Sequence, residues 1–294
     1  MPRAELTGGR LLTDWHPDAV VLVVLVLLAV GYGIGVRRRR EHWPVSRSVL
    51  FLLGLLSIAM VTMSALGVYD RVLFWPVAVQ NTVLLTLTPL LLGLGEPLAL
   101  LPRRPSWDGP VARLLAFPLV GALLCLTVTL VLYLTPLFRL SLTNDAVHQL
   151  VRLMLVAAGC LFCWPLMSER SMPGGYPLRM VFAFVDGLLD AIPGIIVMTG
   201  NGLVAGGYYG DLHRGWGPTP RWDQTIGGGL MLTMAEATAI PLLVALFLRW
   251  ARADERQARA GDGQRAQAAE VPGALTTKPW WEVDPGPLAD RRTH

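Results

Sequence analysis

Charge is scarce in this chain. Of its 294 residues only 16% are Asp, Glu, Lys or Arg, against roughly a quarter in soluble domains. Lysine is nearly missing, with Lys278 standing alone. So little charge cannot clothe a water-soluble domain of this size. Cysteine is also rare: Cys125, Cys160 and Cys163 all lie inside apolar stretches and supply no disulfide framework. The net charge of +4 comes without zinc-finger spacing or an aromatic–basic platform, which argues against a nucleic-acid partner. A phosphate-cradling glycine loop, a zinc-protease motif and a nucleophile elbow are absent too, so no motif supports an enzyme. Nor is there an internal repeat of the inverted-repeat transporter kind.

What the chain has is apolar length. Hydrophobic residues make up 53% and mean hydropathy is +0.49. They fall in blocks long enough to cross roughly 30 Å of hydrocarbon at about 1.5 Å per residue. Seven candidate spans follow: 18–36, 48–68, 74–95, 112–137, 146–167, 178–200 and 224–248. The fold expected is an all-α polytopic bundle of about seven transmembrane helices. The first span is followed by Arg37–Arg40, a stop-transfer pattern and not that of a cleaved leader.

Arginine placement orients the bundle. Arg37–Arg40 with Arg47, Arg103 with Arg104, Arg170 with Arg179, and Arg249, Arg252, Arg256 and Arg259 fall on one side if the N-terminus is outside. The positive-inside rule therefore puts the C-terminus in the cytoplasm. Residues 1–17 form an extracytoplasmic segment and 18–250 the membrane domain. The stretch 251–294, rich in Ala, Gly, Pro and charge without an apolar period, reads as a disordered cytoplasmic tail.

Polar residues at depth are the candidates for function. Asp186 and Asp190, four apart within the apolar run Met180–Met198, share one helix face. An uncompensated charge there costs several kcal/mol. Glu236 lies roughly 18 Å into the seventh span at about 1.5 Å per residue. Arg152 lies one turn below His148 on the fifth, and Gln80 and Asn81 are in the outer third of the third. Asp223 and Gln224 sit at the mouth of the seventh. A shared interior in which Arg152 pairs with one of the three acids would reconcile these groups. Mutual pairing that merely locks the helices is the alternative. Cys160 and Cys163, three apart, and Met60/Met63 and Met231/Met234 at the same spacing offer soft donors that suit Cu(I). They serve equally as packing.

Short motifs then line up in order. Gln80 with Leu84-Leu85, Pro89-Leu90-Leu91 and Gly95-Glu96-Pro97 come first. Next are His148 with Ala158-Gly159 and Trp164-Pro165-Leu166, then Pro177-Leu178-Arg179, and last Asp223-Gln224 with Gly227-Gly228 and Glu236. The set resembles the CtaG family of bacterial cytochrome c oxidase (caa3-type) assembly proteins and covers spans three to seven. The resemblance implies a multi-pass bacterial plasma-membrane protein, embedded in lipid, that serves a haem–copper oxidase subunit through copper delivery.

The chain departs from the family pattern where histidines are expected: Val77, Asn81 and Arg152 occupy three such positions, and His148 is kept. Valine and arginine bind no cation. The metal set expected here is therefore His148, Asp186, Asp190 and Glu236. Arg152, Gln80, Asn81, Asp223 and Gln224 are expected in structural or ion-pairing roles. The competing expectation is a small-ion or proton-coupled transporter that uses the intramembrane carboxylates.

Overall fold

The computed structural model describes residues 5–39, 43–101, 109–115, 117–167 and 175–270. Arg40, His42, Arg103, Arg104, Arg170 and the tail from 271, with Lys278, Trp280 and Trp281, lie outside the described residues. Helices account for the described architecture, and no strand occurs among the described residues.

Thirteen helices follow one another among these residues. They are α1 (Gly8–Thr13), α2 (Ala19–Arg38), α3 (Val45–Met63), α4 (Ala65–Tyr69), α5 (Phe74–Leu85), α6 (Leu87–Leu94), α7 (Pro110–Leu115), α8 (Pro118–Leu134), α9 (Leu137–Thr143), α10 (Asp145–Met167), α11 (Gly175–Thr199), α12 (Tyr208–Asp211) and α13 (Pro220–Glu270). Six spans are long and apolar enough to cross a membrane, or seven if the bent pair α8–α9 counts as one. The seven-span expectation corresponds to them span for span.

Local chemistry explains the ends. The Asp18 carboxylate caps α2 by accepting from the Val20 and Val21 N–H groups. Asn144 does the same for α10 through Ala146 and Val147. The α8–α9 bend of 70° falls at Thr135–Pro136. The third span breaks at Thr86, whose φ/ψ of −112/−67 departs from helix. Three residues on, Pro89 has no N–H to give the Leu85 carbonyl.

Helix α10 is the axle of the bundle. It packs against α5, α6, α8 and α9, and 61% of its apolar window is buried, against 11% for α2. Gly159 permits this approach, because a Cβ there would stand 2.0 Å from the Leu85 carbonyl oxygen. An aromatic cluster of Phe74, Tyr133, Phe138 and Tyr209 closes one end, with ring centroids 5.0–6.3 Å apart. Helix α2 joins mainly through Tyr32, stacked on Phe51 at 4.0 Å and donating to the Gly95 carbonyl at 3.1 Å.

The described residues divide into two units, Met1–Phe247 and Leu248–His294. In the second unit the expected tail lies outside the described residues from 271 onward, and residues 251–270 are helical. The stretch lacks an apolar face, but Ala, Arg, Gln and Glu are strong helix formers that hold a helix without one.

Candidate functional site

Three polar centres sit in the bundle, and the sequence-expected residues are divided among them. The first lies where α2 and α10 begin and α4 ends. Asp70 Oδ2 stands 3.3 Å from Arg152 Nη2 and 3.2 Å from His148 Nε2. Arg152 Nη1 also reaches Asp18 Oδ2 at 3.6 Å, and Gln149 donates to the same Asp18 carboxylate. Tyr209 adds a hydrogen bond to the Asp70 backbone carbonyl at 2.8 Å. Asp70, His148 and Arg152 are all buried.

This placement corrects the expected pairing. Arg152 engages Asp70 and Asp18, and none of Asp186, Asp190 or Glu236. The reason is depth: Arg152 lies two turns into α10, level with the helix ends that carry the two aspartates. Sequence reasoning missed both acids. Asp18 is the first residue of the expected span 18–36, and Asp70 falls between the expected spans 48–68 and 74–95; neither is among the named candidates. The available signal was that a buried arginine needs an acid at its own level.

The second centre ties α13 to the start of α5. Asp223 accepts from the backbone N–H groups of Phe74 (2.9 Å) and Trp75 (3.1 Å) and from Arg214 (3.2 Å). Leu73 provides no side-chain cap for α5, so Asp223 satisfies those helix-end donors from a distance. Gln224 accepts from Val204 N–H (2.8 Å) and donates to the carbonyls of Val197 (2.9 Å) and Gly202 (3.0 Å), which fastens the segment after α11. Gln80 donates to the Val61 carbonyl, and Asn81 to the Tyr133 hydroxyl. All four have structural partners.

The third centre holds the aspartate pair. Asp186 and Asp190 line a cavity of about 20 Å³ together with Thr86, Cys125, Cys163 and Thr238. Asp186 is buried and its Oδ1 has no hydrogen-bond partner. Helices α11 and α13 close on this cavity because Gly194 faces Gly228: a Cβ on Gly194 would stand 2.9 Å from the Gly228 carbonyl oxygen. Two full charges roughly 6 Å apart, one helical turn, repel by about 3 kcal/mol at an effective dielectric of about 20. Among the described residues no Lys, Arg or His lines the cavity to offset them.

The cysteine pair also divides. Cys163 shares the cavity with Cys125 of α8, whereas Cys160 packs with Tyr32, Phe51 and Leu92 on another side of α10. Glu236 is exposed on the outer face of α13. The four residues expected to form a metal set thus occupy three places: His148 with Asp70, Asp186 with Asp190, and Glu236 by itself on the outer face. Among the described residues, no group of three or more His, Cys, Asp or Glu side chains is close enough to hold a metal ion.

An all-helical bundle with spans this apolar and polar groups turned inward defines a polytopic membrane protein. The chain belongs to the cytochrome c oxidase caa3 assembly factor family, whose family model matches residues 30–253. Among curated proteins it is similar to uncharacterized proteins of Mycobacterium bovis and Mycobacterium tuberculosis. Each is 29% identical over 280 residues, covering 87% of this chain and 42% of the relative. A Mycobacterium leprae protein, also uncharacterized, is 27% identical over 275 residues, covering 85% and 41%. The chain therefore spans less than half the length of these relatives. No solved structure matches it.

Proposed function

We propose that the protein assists assembly of a haem–copper oxidase of the caa3 type in a bacterial cell membrane, with its N-terminus outside. The observation that carries this reading is the family match across residues 30–253, which takes in the bundle from within α2 onward. In this reading the protein has no catalytic step of its own. It docks a nascent oxidase subunit, and copper is the cargo of the assembly reaction.

Two surfaces support docking. Helix α2 leaves most of its apolar length uncovered, and Glu236 projects a carboxyl from an otherwise apolar face of α13. A carboxyl facing hydrocarbon is costly unless a neighbour shields it, and a polar group on a partner helix would do so. The scattered donors favour copper handling shared with the partner over a closed ion cage in this chain.

The test is a deletion strain. Its membranes should contain less assembled oxidase, with haem and copper content lowered together, and the wild-type gene should restore both. Normal oxidase haem and copper in that strain would remove the assembly role. Copper bound stoichiometrically by the purified protein, and lost on changing Cys125 and Cys163 to Ser, would instead seat the cargo within this chain.

A further inference from the structure

The cavity between Asp186 and Asp190 has no place in the docking role, yet it holds a buried carboxylate oxygen with no hydrogen-bond partner among the described residues. We propose that it is a proton-binding site: the two carboxyls hold one exchangeable proton between them together with a single water molecule.

Several observations carry this. The cavity volume of about 20 Å³ exceeds the roughly 10–15 Å³ that a water molecule needs, and a water also needs two or more polar partners. Asp186 Oδ1 is buried and has no hydrogen-bond donor among the described residues. The residues facing the pair from every packed element are Thr86 at the α5–α6 break, Cys125 on α8, Cys163 on α10 and Thr238 on α13. None of them brings positive charge.

Arginines elsewhere in the bundle are engaged by other groups. Arg152 engages Asp18 and Asp70, Arg214 engages Asp223, and Arg47 engages Glu96. Arg179 donates to the Leu166 carbonyl and stacks on Tyr176.

The hydroxyls point the same way. Thr86 Oγ1 gives its proton to the Thr82 carbonyl at 2.8 Å, and Thr238 Oγ1 gives its own to Met234 at 2.9 Å. Both hydroxyls are left as acceptors. With both hydroxyls accepting and the Cys125 and Cys163 thiols only weak donors, the two carboxyls take a ligand that donates, and the smallest such ligand is a proton with its water. The half-buried position of Asp190 leaves the pair open to exchange.

The experiment uses the full chain purified in detergent and is independent of any oxidase. Infrared difference spectra between high and low pH should show a protonated-carboxyl C=O band that shifts in D2O. The band should be lost in Asp190→Asn and in Asp186→Asn. Dicyclohexylcarbodiimide, which attacks buried protonated carboxyls, should label Asp186 or Asp190 in the wild-type protein, with labelling lost as pH rises.

If either variant fails to fold, the wild-type band and the mapped adduct still decide the matter. A wild-type protein with no such band and no adduct at either residue overturns the proposal. Labelling blocked by sodium at constant pH also overturns it, because the pair would then be a metal-cation site.

Discussion

Arg152 and His148, one turn apart on α10, converge on a single carboxylate oxygen, Asp70 Oδ2, at 3.3 and 3.2 Å. With Asp18 on the far side of the guanidinium, the arginine fills the centre of a ring of groups that are commonly metal ligands. The ring fastens α2, α4 and α10 at one end of the bundle. Both aspartates reach Arg152 within 4 Å, so the ring is a structural clasp.

Removing Asp70 should therefore leave the buried Arg152 with only its longer contact to Asp18, at 3.6 Å. Asp70→Ala is expected to cost about 3–5 kcal/mol, read as a lowered unfolding temperature in detergent. Asp70→Ala combined with Arg152→Leu should recover most of that loss. A double variant no better than Asp70→Ala alone would show that the pair is not coupled.

Asp223 caps α5 and holds Arg214 at the same time. Asp223→Ala should cost about 3 kcal/mol or more, since it leaves two helix-end donors and a buried guanidinium unpaired. Asp223→Asn keeps an acceptor for Phe74 or Trp75 and should cost less. The difference between the two variants in thermal unfolding separates capping from charge pairing.

Gly159 and Gly33 form a matched comparison. A Cβ on Gly159 would strike the Leu85 carbonyl oxygen at 2.0 Å, whereas one on Gly33 meets nothing within 4 Å. Gly159→Ala should destabilise by about 1–3 kcal/mol through overpacking. Gly33→Ala should be neutral or favourable by up to about 1 kcal/mol from helix propensity. Thermal melts of the two proteins side by side check this, and equal losses would contradict the close α5–α10 contact.

Glu236 has no role in holding the monomer together in this arrangement, because it is exposed. Glu236→Gln should leave stability within about 0.5 kcal/mol of wild type. In cells the same variant should lower oxidase assembly. A large loss of stability in the isolated protein would place Glu236 inside the fold instead.

The spans were legible because the hydrocarbon layer imposes a length that the chain must match. From the first span to the seventh, each appears as a helix or a bent pair. The break in the fourth span was partly legible as well, since Pro136 stands where it bends. The partners of the polar residues were not. Helical spacing shows that Asp186 and Asp190 share a face, and His148 and Arg152 another, but not which helix each face meets. Glu236 read as an interior acid only because nothing in its own span reveals which side points inward: small Ala residues flank it on both sides.

By itself the sequence determined that this is an all-helical membrane protein, with roughly where each span begins and ends, because an apolar run in water has no other stable destination. Local spacing also determined the aspartate pair as a unit, since four residues make one helical turn. Only the tertiary structure decided that Arg152 belongs to Asp70 and Asp18, that Cys163 faces Cys125 and not Cys160, and that Glu236 faces away from the cavity. Those pairings depend on helix order and rotation. They are set by close contacts such as Gly159 against Leu85 and Gly194 against Gly228, where backbones hundreds of atoms apart along the chain meet.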